Sequence, residues 1–155
     1  MARRHLVDVT PAMDTNQYAS GDRFGAIHTI TGAGPHGFEG AVLESVTVVD
    51  KDAQSPVMTI LFFDSLPTVA SADNAALDIA DAQMAKCIGS TGIAAGDWST
   101  TTSSHVASKV VSPGLPLKPA RTGVEGTLYA VCKLTAGTPT HTASGLTFRY
   151  CFRWD

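Results

Sequence analysis

Short apolar runs, each followed by turn-forming residues, are the feature of this sequence that most restricts its fold. The runs at 46–49 and 58–63 are rich in β-branched and aromatic residues. They have the composition of strands and are too short for ordinary helices. The pattern therefore predicts an all-β protein.

Seven strands are predicted from these runs, and an eighth is left open. The predicted strands lie near 6–10, 24–31, 41–50, 57–64, 106–111, 127–135 and 146–154. The chain has 155 residues and no linker or internal repeat. It is long enough to bury a core, so one β-sandwich domain over residues 1–155 is expected.

The connections between the runs indicate how the strands are joined. Turn residues at 50–56 predict a hairpin between the third and fourth strands. One short helix is predicted at 79–88, with Asp78 as its cap and Gly89 after its end. The rest of 65–105 reads as loop, which favours a Greek-key crossover between sheets. Prolines in 113–119 predict an extended edge segment.

Charge and hydropathy exclude several classes of protein. Charged residues make up only 16% of the chain and the net charge is −3, so the sequence offers no source for phosphate attraction to a nucleic acid. It contains no run of about 18 apolar residues that could span a membrane. The basic start is followed by Asp8 within the next apolar stretch, so we expect no signal peptide and synthesis in the cytoplasm.

The three cysteines are predicted to be free. Cys87, Cys132 and Cys151 match no metal-ligand spacing and cannot all pair within one chain. Strand alternation places Cys132 on the apolar side of its strand and Cys151 on the opposite side of the last strand. A disulfide between these two is therefore disfavoured.

Two motifs resemble binding sites, but the residues that follow them do not fit such sites. Residues 32–37 match G-x-G-x-x-G, but a strand-like run follows instead of a helix. Asp50 and Asp52 alternate as in a calcium loop, yet the sixth position is Ser55 and no Glu occupies the twelfth. We therefore predict no cofactor and no metal ion.

The sequence contains no grouping of side chains that indicates a catalytic site. No two of the five histidines have the spacing of paired metal ligands. Asp97, Ser104 and His105 lie near one another in sequence, but no nucleophile motif accompanies them. The chain is therefore predicted not to be an enzyme, and no catalytic residue is assigned.

Two groups of side chains are candidates for a protein interface. Trp98 lies in a polar loop, where core cover, a partner contact and a sugar platform all remain open. Arg149 and Arg153 alternate with the apolar residues of the last strand and should share one face. A solvated polar face and a subunit contact are both open for that pair.

Several segments together resemble a known family. They are 9–14, 18–22, 45–52, 61–64 with Pro67-Thr68, 73–76, 78–87 and 137–140. These turn and strand patterns cover most of the chain, and they resemble the small decoration, or cement, proteins of tailed-bacteriophage capsids. The resemblance implies a jelly-roll-like sandwich on the outside of the major-capsid lattice, as dimers or trimers. It carries over no catalytic residue.

The function that the resemblance implies is structural. The chain is expected to bind the major capsid protein and other copies of itself on the outer surface of the virion, bridging neighbouring capsid subunits. Two alternatives stay open. One is another virion component, such as a head-fibre base or a tail-associated protein. The other is a carbohydrate-binding sandwich that uses Trp98.

The N-terminal residues 1–14 form a candidate arm. Its two arginines precede an apolar stretch that could add a strand to a neighbouring subunit. With the two groups above, the predicted interface residues are Arg3, Arg4, Leu6, Trp98, Arg149 and Arg153.

Overall fold

The computed structural model describes residues 3–33, 41–116 and 126–154. Within these ranges the chain forms nine strands, a short α-helix and a 3-10 turn, Ala95–Asp97. The strands are β1 (Arg3–Val9), β2 (His28–Thr31), β3 (Val42–Asp50), β4 (Val57–Phe63), β5 (Cys87–Ile93), β6 (Trp98–Thr100), β7 (His105–Pro116), β8 (Thr127–Ala136) and β9 (Leu146–Trp154), and the helix is α1 (Asp81–Met84). Among the described residues no helix is long and apolar enough to cross a membrane.

The strands form two antiparallel sheets. The five-stranded sheet has the order β1-β9-β3-β7-β6, and the four-stranded sheet has the order β2-β8-β4-β5. Without the short β6, each sheet has four strands, and most connections cross from one sheet to the other. This is the strand order of a jelly roll, in which two Greek keys fold over each other. The predicted fold class is confirmed.

Alternating side chains build the core between the sheets. The buried members in the last two strands are Leu128, Ala130, Cys132 and Leu134 of β8, and Leu146, Phe148, Tyr150 and Phe152 of β9. Arg149 and Arg153 occupy the intervening exposed positions of β9. Period-two alternation thus fixes which face of each sheet turns inward.

All seven predicted strands are present, but the second is shorter than expected. β2 begins at His28, although Phe24 still donates its backbone N–H to the carbonyl of Cys132. Gly25 interrupts the strand with a φ of +82°. A side chain there would also meet the sulfur of Met13, 2.7 Å from an added Cβ.

The predicted hairpin between the third and fourth strands is wrong. β3 pairs with β7 and β9, whereas β4 pairs with β5 and β8 in the opposite sheet. The intervening turn has positive φ angles at Ala53 and Ser55. It therefore carries the chain from one sheet across to the other.

The predicted helix at 79–88 is present only as α1. Asp78 does not cap it, because the N-cap is Ala80 and no side-chain cap bond forms. Gly89 lies inside β5 and does not follow a helix. This strand was not among the seven that the sequence predicted. An added Cβ at Gly89 would come within 2.6 Å of Leu115, so the glycine lets the end of β7 pack against β5.

The predicted edge segment is confirmed as far as Pro116. β7 pairs with β3 at 105–110 and again at Leu115 and Pro116, whereas β6 covers its other side only up to Ala107. Pro119 lies outside the described residues, as do positions 34–37 of the glycine-rich motif.

The cysteines follow the predicted parity. All three are free; Cys132 is buried, whereas Cys151 is half-buried on the opposite side of its strand. Cys132 faces the buried ring of His28, with 3.9 Å between its sulfur and Nε2.

His28 is a titratable group inside this core. Its Nδ1 lies 2.5 Å from the hydroxyl of Tyr150, and its ring packs against Phe148 at a centroid distance of 4.4 Å. Burial lowers the pKa of His28 to about 3. Burial also raises the pKa of Tyr150 and that of Cys132, so both facing groups are neutral at neutral pH.

We therefore predict an acid-sensitive core. Below pH 6.5 the unfolded chain protonates His28, but the folded chain does not do so until about pH 3. The free energy of unfolding should thus fall by up to about 1.4 kcal/mol per pH unit across this window. Urea unfolding at several pH values, compared with His28→Gln, isolates this contribution, because the variant keeps the other titrating groups. Parallel pH profiles for the two proteins would contradict it.

Candidate protein interface

The outer face of the five-stranded sheet turns away from the core. Strand register places on it Arg4, Leu6 and Asp8 of β1; Thr147, Arg149, Cys151 and Arg153 of β9; Ser45, Thr47 and Val49 of β3; and Val106, Ser108 and Val110 of β7. The bulge between Leu43 and Ser45 adds Glu44, whose carboxylate meets two of these arginines. We call these residues the outer face.

Most of the outer face is small or apolar. Leu6 is 55% exposed near one edge and Val110 is 73% exposed near the other. Thr47 and Ser108 hydrogen-bond to each other across neighbouring strands, with 3.0 Å between their hydroxyl oxygens. The face therefore combines exposed apolar groups with polar groups that already have partners.

The charges of the outer face form ion pairs within it. Arg149 donates two hydrogen bonds to Asp8, at 2.7 and 2.8 Å. Glu44 accepts a hydrogen bond from Arg4 at 3.0 Å and lies 3.3 Å from Arg153. Hydrogen bonds from Arg149 lower the pKa of Asp8. Exposed pairs of this kind add little to stability, but they give each of the three arginines a carboxylate partner within the face.

Four of the predicted interface residues come together on this surface. They are Arg4, Leu6, Arg149 and Arg153. Arg3 is exposed, but it has the opposite parity on β1. As predicted, Arg149 and Arg153 share one face of β9.

Trp98 does not belong to an exposed interface. Only 9% of it is exposed, and its indole N–H donates to the carbonyl of Pro56 at 3.2 Å. In β6 it pairs with the buried Ala107. Its predicted place in the interface is therefore corrected: the ring covers the core and offers no platform for a sugar.

Residues 3–9 of the predicted N-terminal arm are paired within this chain. Arg3–Val9 forms β1 and pairs antiparallel with β9 over its whole length. The apolar stretch that could have added a strand to a neighbouring subunit thus completes the edge of its own sheet.

Asp97 and His105, which lie close together in sequence, contact different partners in the structure. Asp97 accepts hydrogen bonds from Lys109, whereas Nδ1 of His105 lies 2.6 Å from the hydroxyl of Ser55. The carboxylate and the imidazole are thus held by different neighbours.

One cluster of side chains was not predicted from the sequence. Asp50, Asp52 and His141 bring a ligand atom each within 4.8 Å of one another. Alternation of the two aspartates was visible in the sequence, but His141 lies far along the chain, in the loop between β8 and β9. Only the packing of the two loops brings these side chains together.

Opposing effects act on the pKa values of His141 and Asp52. Burial lowers the pKa of His141, while the negative charges of Asp50 and Asp52 act against that shift. Burial acts to raise the pKa of Asp52. The hydrogen bonds from Thr142 act in the opposite direction, and the pKa is lowered. The cluster thus contains a buried imidazole next to Asp52, and the pKa of each of these two groups is lowered.

Comparison with solved structures finds distant similarities to viral particle proteins. No protein-family model and no curated protein sequence matches the chain. Among solved structures, the VP2 subviral particle of infectious bursal disease virus matches 99% of this chain and 33% of its own, at 11% identity and a TM-score of 0.42. Turnip yellow mosaic virus matches 99% of this chain and 91% of its own, at 17% identity and a TM-score of 0.33.

A chain of the Gx strain of infectious bursal disease virus is matched over 97% of this chain, at 13% identity and a TM-score of 0.39. The present chain spans about a third of that chain's length, 32%. These similarities to viral particle proteins are distant, and the assignment of the jelly roll rests on the strand order described above.

The core position of Trp98 predicts the effect of its removal. Trp98→Ala should lower the free energy of unfolding by about 3–5 kcal/mol, because it leaves a cavity and an unpaired carbonyl at Pro56. The exposed Val110→Ala should change it by less than about 0.5 kcal/mol. Chemical denaturation measures both. A Trp98→Ala variant as stable as the native chain would contradict the core assignment.

Proposed function

We propose that this chain is a structural virion protein that binds the outer surface of a bacteriophage capsid. Its partners would be the major capsid protein and other copies of itself, as a dimer or trimer. The observation that supports this function best is the outer face, a broad sheet surface of small and apolar side chains whose ion pairs are already formed.

Two further features favour the proposal. The strand order is that of a jelly roll, an architecture that viral capsid domains use. The turn and strand patterns of the sequence, through their resemblance to phage decoration proteins, predict the same role. Each feature alone is compatible with other roles, and their combination with the outer face favours a virion part.

The size of the surface suits such contacts. A standard protein interface buries about 800 Å² on each partner, and the described part of the chain exposes 7769 Å² in total. One contact of standard size would therefore use about a tenth of this surface. The chain could bind a capsid subunit through the outer face and still have surface left for a second copy.

The arrangement of charges would lower the desolvation cost of docking. An isolated arginine loses its hydration when a partner covers it. Arg149 already donates two hydrogen bonds to Asp8, and Arg4 and Arg153 both face Glu44. A neighbouring subunit could cover these pairs without leaving a charge unpaired, and the exposed guanidinium edges would still select a complementary acidic rim.

Mass action would then convert binding into capsid stability. A ligand that binds the assembled shell and not the separated subunits stabilises the shell in proportion to the logarithm of its free concentration over its Kd. A bound copy that bridges neighbouring subunits must be displaced before those subunits can part.

Substitutions on the outer face test this function. Leu6→Arg and Val110→Arg should each weaken binding to undecorated shells about tenfold or more, because a charge would replace an exposed apolar contact. Leu66→Arg is the matched control, since Leu66 is equally exposed at 55% but lies in the loop after β4. Titration of shells, with bound copies counted by electron microscopy, gives occupancy and symmetry together.

Three results would count against the proposal. A native chain that does not bind shells of its own phage would refute decoration. Unchanged binding by both outer-face variants, together with weaker binding by Leu66→Arg, would move the contact to another surface. A few copies per virion in place of lattice-wide occupancy would favour a head-fibre or tail-associated part.

A further inference from the structure

Two loops at one end of the sandwich place three ligand-type side chains around one point. Asp50 ends β3, Asp52 follows in the crossover to β4, and His141 lies between β8 and β9. Nδ1 of His141 is 3.6 Å from Oδ1 of Asp50 and 3.4 Å from Oδ2 of Asp52. The three residues belong to no part of the outer face.

His141 is a buried polar side chain without a hydrogen bond. It is 2% exposed, and neither Nδ1 nor Nε2 has a hydrogen-bond partner among the described residues. Buried polar atoms are almost always satisfied, so an exception of this kind requires an explanation. Nδ1 points at the two carboxylates from a distance longer than a good hydrogen bond.

The carboxylates are held in place by other groups. Asp50 is fully buried and accepts backbone hydrogen bonds from Asp52, Gln54 and Ser55, at 2.7–3.0 Å. Thr142 donates its backbone N–H and its hydroxyl to Asp52. This second set of contacts fixes the two carboxylates in the way that outer-shell partners fix metal ligands.

Space for the Asp52 carboxylate depends on Gly145. A Cβ at this position would lie 1.9 Å from Oδ2 of Asp52. The β8–β9 loop therefore supplies His141, the Thr142 donors and the gap into which the carboxylate fits.

We propose that Asp50, Asp52 and His141 bind a divalent transition-metal ion, with zinc as the preferred ion. Two carboxylate oxygens and one imidazole nitrogen are a zinc-type donor set. A tetrahedral ion about 2.1 Å from each ligand separates the ligands by about 3.4 Å. The distances of 3.4 and 3.6 Å from His141 match that spacing. Calcium is disfavoured, because it takes six to eight oxygen ligands.

The bound ion would act as a structural crosslink. The side chain of Asp52 is 20% exposed, so water can complete the coordination on that side, while the other two ligand side chains are fully buried. The ion would join the β3–β4 crossover to the β8–β9 loop, and so tie together connections that run between the two sheets. This inference does not depend on the proposed capsid function.

Metal content and thermal stability test the site. Protein stripped with a chelator and then dialysed against Zn²⁺ should retain about one ion per chain, whereas dialysis against Ca²⁺ should leave none. At a free Zn²⁺ concentration 100 times the Kd, Tm should rise by roughly 5–10 °C. His141→Gln and Asp52→Asn should each abolish retention of zinc and the rise in Tm.

Asp97→Asn is the matched control, because Asp97 is an aspartate that pairs with Lys109 and lies outside the cluster. It should keep both zinc binding and the shift in Tm. If His141→Gln does not fold, Co²⁺ added to the native chain gives an independent readout. A tetrahedral site with a histidine ligand should give intense visible absorption that Zn²⁺ displaces.

The alternative is a protonated His141 that forms an ion pair with the carboxylates. In that case the native chain would bind no zinc or cobalt, and His141→Gln would lower Tm equally with and without metal. Either that result or unchanged zinc retention in both ligand variants would overturn the proposal. Capsid binding by a chain without a bound metal would leave the proposed function intact.

Discussion

The carboxylate of Asp50 makes the connection on which the rest of the sandwich depends. It is fully buried at the end of β3 and accepts three backbone N–H groups from the turn that follows. These bonds satisfy the turn where no strand can pair with it. The chain can therefore leave the five-stranded sheet and enter the four-stranded sheet at Val57, which commits it to a two-sheet fold.

The two faces of each strand in the five-stranded sheet have different surroundings. Its inward residues, such as Phe148 and Tyr150, fill the core, where close packing tolerates little change. Its outward residues are free of that constraint. The pairing of Arg149 with Asp8 shows how they are used, because the charges meet across strands instead of standing alone. A surface of this kind is suited to contact with a folded neighbour.

The parts of the fold that the sequence predicted are those in which local chemistry and burial agree. β9 alternates apolar and polar residues so regularly that its core face could be assigned residue by residue. β5 could not be found, because Gly89 and Gly92 weaken its strand pattern. Its glycine at 89 instead serves the packing of Leu115, a contact between residues far apart in the chain.

The sequence likewise predicted only part of the candidate interface. Strand parity was enough to place Arg149 and Arg153 on one face, but their partners Asp8 and Glu44 come from other strands. Trp98 was ambiguous, since a polar loop can bury or expose an indole.

By itself, the sequence determined the all-β class, the positions of seven strands, the free cysteines and the residues that face outward on the last strand. Those properties follow from side-chain alternation and turn chemistry within a few neighbouring residues. Only the tertiary structure decided which sheet each strand joins, that Trp98 is buried, and that His141 meets Asp50 and Asp52. These outcomes depend on contacts between distant segments, and no local pattern encodes a distance between loops that meet only after the sheets have packed.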